Sequence, residues 1–160
     1  MVTNKPLGWT TLEEAKLLVK AGLDPNTADM RYGENNYKLL DEWVAYPFGG
    51  DIKDFEFLKK EFPNSVFYPC WSLGALEGML PTNISTGEEP QNQYELCYRK
   101  HNITKNHCVY QLSYGNDKGM SMEWHDIVNT AERETMIEAI CDMLFWLLLN
   151  NHIKNNNNGK

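Results

Sequence analysis

Tyr94-Glu-Leu-Cys-Tyr-Arg99, Cys108-Val-Tyr-Gln-Leu-Ser-Tyr114 and Met120-Ser-Met-Glu-Trp-His125 decide the fold. Tyr94, Leu96 and Tyr98 alternate with Glu95, Cys97 and Arg99. Cys108, Tyr110, Leu112 and Tyr114 alternate with Val109, Gln111 and Ser113, and Met120, Met122 and Trp124 alternate with Ser121, Glu123 and His125. A period of two marks half-buried strands, so three antiparallel strands are predicted over residues 94–126. Pairing Leu96 with Leu112, and Leu112 with Met122, keeps the first set of each strand on one face, whereas a one-residue slip would scatter it. That register turns Tyr98 and Tyr110 inward. Gly115-Asn-Asp-Lys-Gly119 reads as a hairpin connection, and residues 100–107 as a longer, mobile tip.

A sheet with one apolar face needs a cover. Met136, Ile140, Met143, Leu144 and Leu147 recur at helical spacing behind a cap at Asn129 or Thr130, so a C-terminal helix supplies it. Ile137, Cys141, Phe145, Trp146, Leu148 and Leu149 point elsewhere, which makes this helix apolar around much of its girth and central to the core. Trp146 and Leu144 are both read as buried.

Upstream, Thr10/Glu13 and Thr11/Glu14 each fit the S/T-x-x-E capping box, and Leu12, Ala15, Leu18 and Val19 form one apolar stripe ending before Gly22. A helix to Ala21 follows. Pro25 then forces a turn. Residues 37–46 favour a strand only marginally over a helix. Beyond Gly49-Gly50, Asp51 can cap a short helix with Ile52, Phe55, Leu58 and Phe62 on one face. Ser72 can cap another over Leu73 to Leu80, and residues 82–93 read as a surface loop. The predicted fold class is α+β: an N-terminal helical half, a three-stranded antiparallel meander and a buried C-terminal helix. One domain covers residues 1–150, and the Asn-rich residues 151–160 form a disordered tail with too little apolar surface to offset its ordering entropy.

Composition bounds the function. Of 160 residues, 42% are hydrophobic and 23% charged, enough to fill one core without disulfides or metal. A net charge of -7 opposes unspecific attraction to duplex nucleic acid or anionic lipid. Residues 1–9 lack the apolar stretch of an export signal, and the seven apolar residues 143–149 are far too few to span a bilayer. Cys70, Cys97, Cys108 and Cys141 show no C-x-x-C spacing and read as free thiols in a reducing cytosol. The expected location is cytoplasmic, with no membrane partner.

Motifs for chemistry are sparse. His101, His107 and Cys108 lie near the predicted hairpin tip with His125 on a neighbouring strand, but His125 and Cys108 belong to opposite faces, so no metal is expected. Neither G-x-x-x-x-G-K-[ST] nor G-x-G-x-x-G occurs, nor G-x-S-x-G. No cofactor and no catalytic residue is assigned. The basic cluster Arg99-Lys100-His101 with Lys105, beside Tyr98 and Tyr110, is the mixture that stacks on single-stranded nucleic acid, but the inward register of those tyrosines opposes it. Two segments resist local explanation: residues 24–32 and residues 68–76. Asp29 and Trp71 within them are either core supports or groove residues, with support favoured.

These segments carry a resemblance. Thr11-Leu-Glu-Glu-Ala-Lys-Leu-Leu-Val-Lys-Ala-Gly-Leu-Asp-Pro-Asn-Thr-Ala-Asp-Met30, Pro69-Cys-Trp-Ser-Leu-Gly-Ala-Leu76 with Met79-Leu-Pro81, and Ile137-Glu-Ala-Ile-Cys-Asp-Met-Leu-Phe-Trp-Leu147 resemble, in this order, small uncharacterised proteins encoded by phages and mobile elements of gut bacteria. The resemblance implies a bacterial or phage origin and a cytoplasmic location in the bacterial host. It transfers no catalytic residue, and residues 33–65 look enlarged against shorter members. The expectation is a non-enzymatic accessory protein that binds a host or phage protein. The alternative is a small-molecule, nucleotide-type site in which Asp29, Tyr32, Trp43 and Trp71 supply stacking and hydrogen-bonding groups.

Overall fold

The computed structural model describes residues 8–34, 43–48, 55–87, 93–104, 107–117 and 124–153. It is a mixed α+β protein whose chain divides into two compact units, with the boundary inside the third helix after Glu77.

In the N-terminal unit, helix α1 (Leu12–Ala21) starts at the Thr11/Glu14 capping box: the Thr11 hydroxyl accepts from the Glu14 amide at 3.2 Å and Glu14 accepts from the Thr11 amide at 2.7 Å. It ends at Gly22, whose φ of 105° is a left-handed conformation open to glycine at no steric cost. A 3-10 turn (Pro25–Thr27) follows, with the Asp24 side chain as its cap.

The expectation of a helical half is corrected here, because the unit contains a sheet. Strand β1 (Met30–Glu34) lies between β2 (Trp43–Pro47) and β3 (Tyr68–Cys70), antiparallel to both. Met30 sits opposite Pro47 on one side and Cys70 on the other. The strand favoured in residues 37–46 is realised from Trp43, and residues 37–42 lie outside the described residues. Helix α2 (Phe55–Glu61) packs by the 3-10 turn and buries Leu58, and its expected cap at Asp51 lies outside the described residues. Helix α1 packs on β3. Helix α3 (Leu73–Met79) has the predicted Ser72 cap, whose hydroxyl accepts from the Ala75 amide at 3.2 Å.

The C-terminal unit is a sheet covered by one helix. Its strands are β4 (Asn83–Ser85), β5 (Gln93–Thr104), β6 (His107–Asp117) and β7 (Trp124–Asn129), side by side in that order. The meander thus has four strands rather than three, because β4 forms inside the segment read as a loop and pairs Ile84 with Tyr94.

Between β5 and β6 parity is as expected but register is not, while in β7 parity fails too: Trp124, expected on the face of Leu112 and Tyr114, lies opposite Asp117, which has the other parity. Leu96 faces Tyr114 and Tyr98 faces Leu112, a shift of two residues that preserves the inward set. The segment expected to be a mobile tip is ladder up to Thr104, opposite His107. Gly115, Asn116 and Asp117 are strand residues opposite Asp126, His125 and Trp124 rather than a turn, after a bulge at Tyr114. Met120 and Met122 lie outside the described residues.

Helix α4 (Met136–Leu149) packs on β6 and buries Ile137, Ile140, Met143, Leu144, Leu147 and Leu148. Its cap is Thr135, in a capping box with Glu138, and not Asn129 or Thr130. Asn129 ends β7, and Thr130 is buried with its hydroxyl accepting from the Leu112 amide at 2.9 Å. Trp146 is half-buried and stacked on His152, with ring centroids 5.0 Å apart. Residues 151–153 complete the helix end, where the His152 amide donates to Leu147, and residues 154–160 of the expected tail lie outside the described residues. No helix among the described residues is long and apolar enough to cross a membrane.

Candidate functional site

Three of the four expected ligand-site residues meet at one place. Residues 8–10 run beside residues 71–73: the Thr10 amide donates to the Trp71 carbonyl at 2.9 Å, and the Leu73 amide to the Gly8 carbonyl at 3.0 Å. The Thr10 hydroxyl accepts from the Trp71 amide at 3.1 Å, and the Thr10 carbonyl accepts from the Tyr32 hydroxyl at 2.5 Å. The Trp71 indole N–H donates to the Thr27 hydroxyl at 3.0 Å, and Asp29 accepts from the Ser72 amide at 2.8 Å. Thr10, Tyr32, Cys70 and Trp71 are all buried. A buried polar group is tolerated when bonded, and each bond here ties one chain segment to another. Trp43 stands elsewhere, opposite Glu34 in the β1–β2 ladder.

Electrostatics in this knot oppose nucleophilic chemistry. Burial pushes the Cys70 thiol up to about 11, against weaker lowering by its bonds to Thr10 and Tyr32. Burial raises the Tyr32 phenol as well, with Cys70 adding to the shift. Both groups therefore stay protonated at neutral pH, and a protonated thiol is a poor nucleophile. No disulfide joins the four cysteines, and no three His, Cys, Asp or Glu side chains among the described residues converge on a metal position.

An open site lies on the other side of the same sheet. Successive strand residues face opposite ways, so Tyr32 enters the core while Arg31 and Gly33 face out. Arg31 is directly opposite Tyr46 on β2. With Gly33 they floor a cleft of about 360 Å³, and residues 64–67, which lead into β3, form its wall.

The Arg31 guanidinium lies 5.7 Å from the ring centroids of both Tyr46 and Phe48, and one N–H donates to the Pro47 carbonyl at 3.3 Å. Burial draws its pKa down, with Tyr46 opposing, yet an arginine stays charged in proteins. The Phe67 ring meets Phe62 edge-on at 6.2 Å. Tyr46 is 40% exposed and Val66 50%, so two large side chains of the lining are open to solvent beside the cation. The sequence reading missed this cleft because Arg31 and Tyr46 are brought together by strand register alone. The Phe62-Pro-Asn-Ser-Val-Phe67 run, with its turn residues between aromatics, was the available signal.

In the C-terminal unit, the hairpin corrects another expectation. Tyr98 is 44% exposed rather than inward, and Lys100 lies over the Tyr110 ring at 5.7 Å, because β4 and β7 flank only the other end of the β5–β6 ribbon. On the opposite face Arg99 pairs with Asp126 at 2.9 Å, and Asn129 donates to the same carboxylate at 3.0 Å.

No family model, curated protein or solved structure matches the chain.

Proposed function

We propose that the chain is a non-enzymatic binding module, the accessory role implied by its resemblance to phage and mobile-element proteins, and that its partner is a host or phage protein. The observation that carries this reading is the gathering of Tyr46, Val66 and Phe67 around a cleft floored by Arg31. Single exposed apolar residues are ordinary. Aromatic residues and an arginine grouped at a concave site are the composition that carries binding energy in protein interfaces. The protonated Cys70 and the commitment of Asp29 to Ser72 support the non-catalytic half of the reading.

The test is a photo-crosslinking amino acid at position 66, with position 17, exposed on α1, as the control site. Cells of a bacterial host should yield one discrete protein adduct from position 66 that Tyr46→Ala and Arg31→Glu abolish. An adduct indifferent to both variants, or shared with position 17, rejects the cleft as the docking surface.

A second reading, sequestration of a nucleotide-type small molecule, is favoured by one observation. The cleft volume of about 360 Å³ falls in the range of small-molecule sites. In this reading the stacking faces are those of Tyr46 and Phe67, since Tyr32 and Trp71 are buried. Ligand at 100 times its dissociation constant adds about 2.7 kcal/mol of stability, which a thermal-shift panel detects.

A further inference from the structure

We infer that the cleft on the open face of the N-terminal sheet recognises a free C-terminal carboxylate joined to an apolar terminal residue; this rests on the binding reading above and names the chemistry of the partner. Among the described residues, Arg31 is the only cation lining the cleft. Its guanidinium carbon lies 5.7 Å from the Tyr46 and Phe48 ring centroids, and one N–H donates to the Pro47 carbonyl. The remaining N–H donors meet no carboxylate among the described residues. A guanidinium so fixed presents the fork that binds a carboxylate through two parallel hydrogen bonds.

Charge selects among anions. Asn64 and Ser65 beside the cleft are neutral, so among the described residues the site offers one positive charge. A carboxylate matches it, whereas a phosphate monoester at about -1.5 to -2 would leave excess negative charge on a chain already at -7. Tyr46, Val66 and Phe67 supply an apolar wall beside the cation.

Size selects the source of the carboxylate. A cleft of about 360 Å³ is in the range of small-ligand sites and can take a terminal residue together with its carboxylate. A C-terminal residue brings its charge and its apolar side chain into that space together. An internal Asp or Glu carries charge in place of the apolar group, and its backbone must leave at both ends.

The experiment follows amide shifts of the 15N-labelled full chain during titration with N-acetylphenylalanine, its methylamide, phenyl phosphate, and N-acetylglutamate N′-methylamide. The acid should bind in the millimolar range and shift Gly33, Val66 and Phe67, with the methylamide at least about tenfold weaker. Arg31→Met should reduce the acid to the level of the methylamide. Gly33→Ala puts a methyl 3.8 Å from the Phe67 and Tyr46 rings, an ordinary contact, so it should fold and weaken both probes by filling the floor.

Equal binding of acid and methylamide, or indifference to Arg31→Met, overturns the carboxylate while leaving the cleft reading intact. Tighter binding of the glutamate side-chain probe overturns the C-terminal source, and tighter binding of phenyl phosphate overturns the choice of anion. No shift at the cleft with any probe, together with no adduct at position 66, overturns the binding reading itself.

Discussion

Asp29 accepts two hydrogen bonds from Ser72, one from its backbone amide at 2.8 Å and one from its hydroxyl. The same hydroxyl accepts from the Ala75 amide and so starts α3. One carboxylate thereby fixes a loop, a helix cap and the strand end between them. A residue that reads as either a ligand group or a support, with support favoured, is built into the support.

Asp29→Ala should lower stability by about 1–2 kcal/mol, the usual cost of losing a cap and a charged hydrogen bond at an exposed position. Asp29→Asn keeps one acceptor and should cost less. Urea denaturation midpoints measure both. An unchanged midpoint for Asp29→Ala would mean that the carboxylate holds nothing together and stands available to a ligand.

Burial of Cys70 predicts an alkaline limit. The folded thiol titrates near 11, against an ordinary value of 9.0, so between those pH values the folded chain keeps a proton that the unfolded chain has lost. The unfolded state binds fewer protons there, and stability falls as pH rises. The contribution is complete below about pH 9 and gone above about pH 11. Tyr32, raised by burial in the same knot, extends the loss further up. Cys70→Ala should flatten the first part of the slope in denaturation curves measured across this window, and Tyr32→Phe the later part.

What could be read from sequence was whatever is local. The Thr11/Glu14 box and the Ser72 cap need only three or four residues to declare themselves, and both helices start where those residues stand. Period two in residues 94–114 gave the strands and their alternation but not which residues are covered, since Tyr98 is exposed and Ser113 buried. It could not give the register, since any even shift preserves parity, and Leu96 meets Tyr114 instead of Leu112. Strands β3 and β4 have three residues each, too few for any period, and the partner of β3 is about 40 residues away. The cleft shares that difficulty. Arg31 reads as one charge in a turn-rich segment until β2 places Tyr46 opposite it.

Leu144 and Trp146 were expected to behave alike, and the structure separates them. Leu144 is fully buried, so Leu144→Asp places an unpaired carboxylate in the core at a cost of several kcal/mol, comparable to the total stability of a small protein. That variant should be unfolded. Trp146→Asp loses a half-buried indole and its stack on His152, so it should fold with a reduced Tm. Leu149→Asp, at a strongly exposed position, should change stability by no more than about 0.5 kcal/mol. Circular dichroism melts of the three variants give the order directly.

Ser113 lies in β6 opposite Cys97, and its hydroxyl is buried without a hydrogen-bond partner among the described residues. Water hydrates that hydroxyl in the unfolded chain, and folding removes the water without replacement. An unsatisfied buried group of this kind costs about 1–3 kcal/mol. Ser113→Ala removes the hydroxyl and little volume, so it should leave stability equal or raise it by about 1 kcal/mol, with the sheet unchanged. Ser113→Thr adds a methyl where no space is accessible to solvent and should destabilise by overpacking. Differential scanning calorimetry of both variants decides the point. A clear loss of stability in Ser113→Ala would mean that a bound water or other group satisfies the hydroxyl on this face of the sheet.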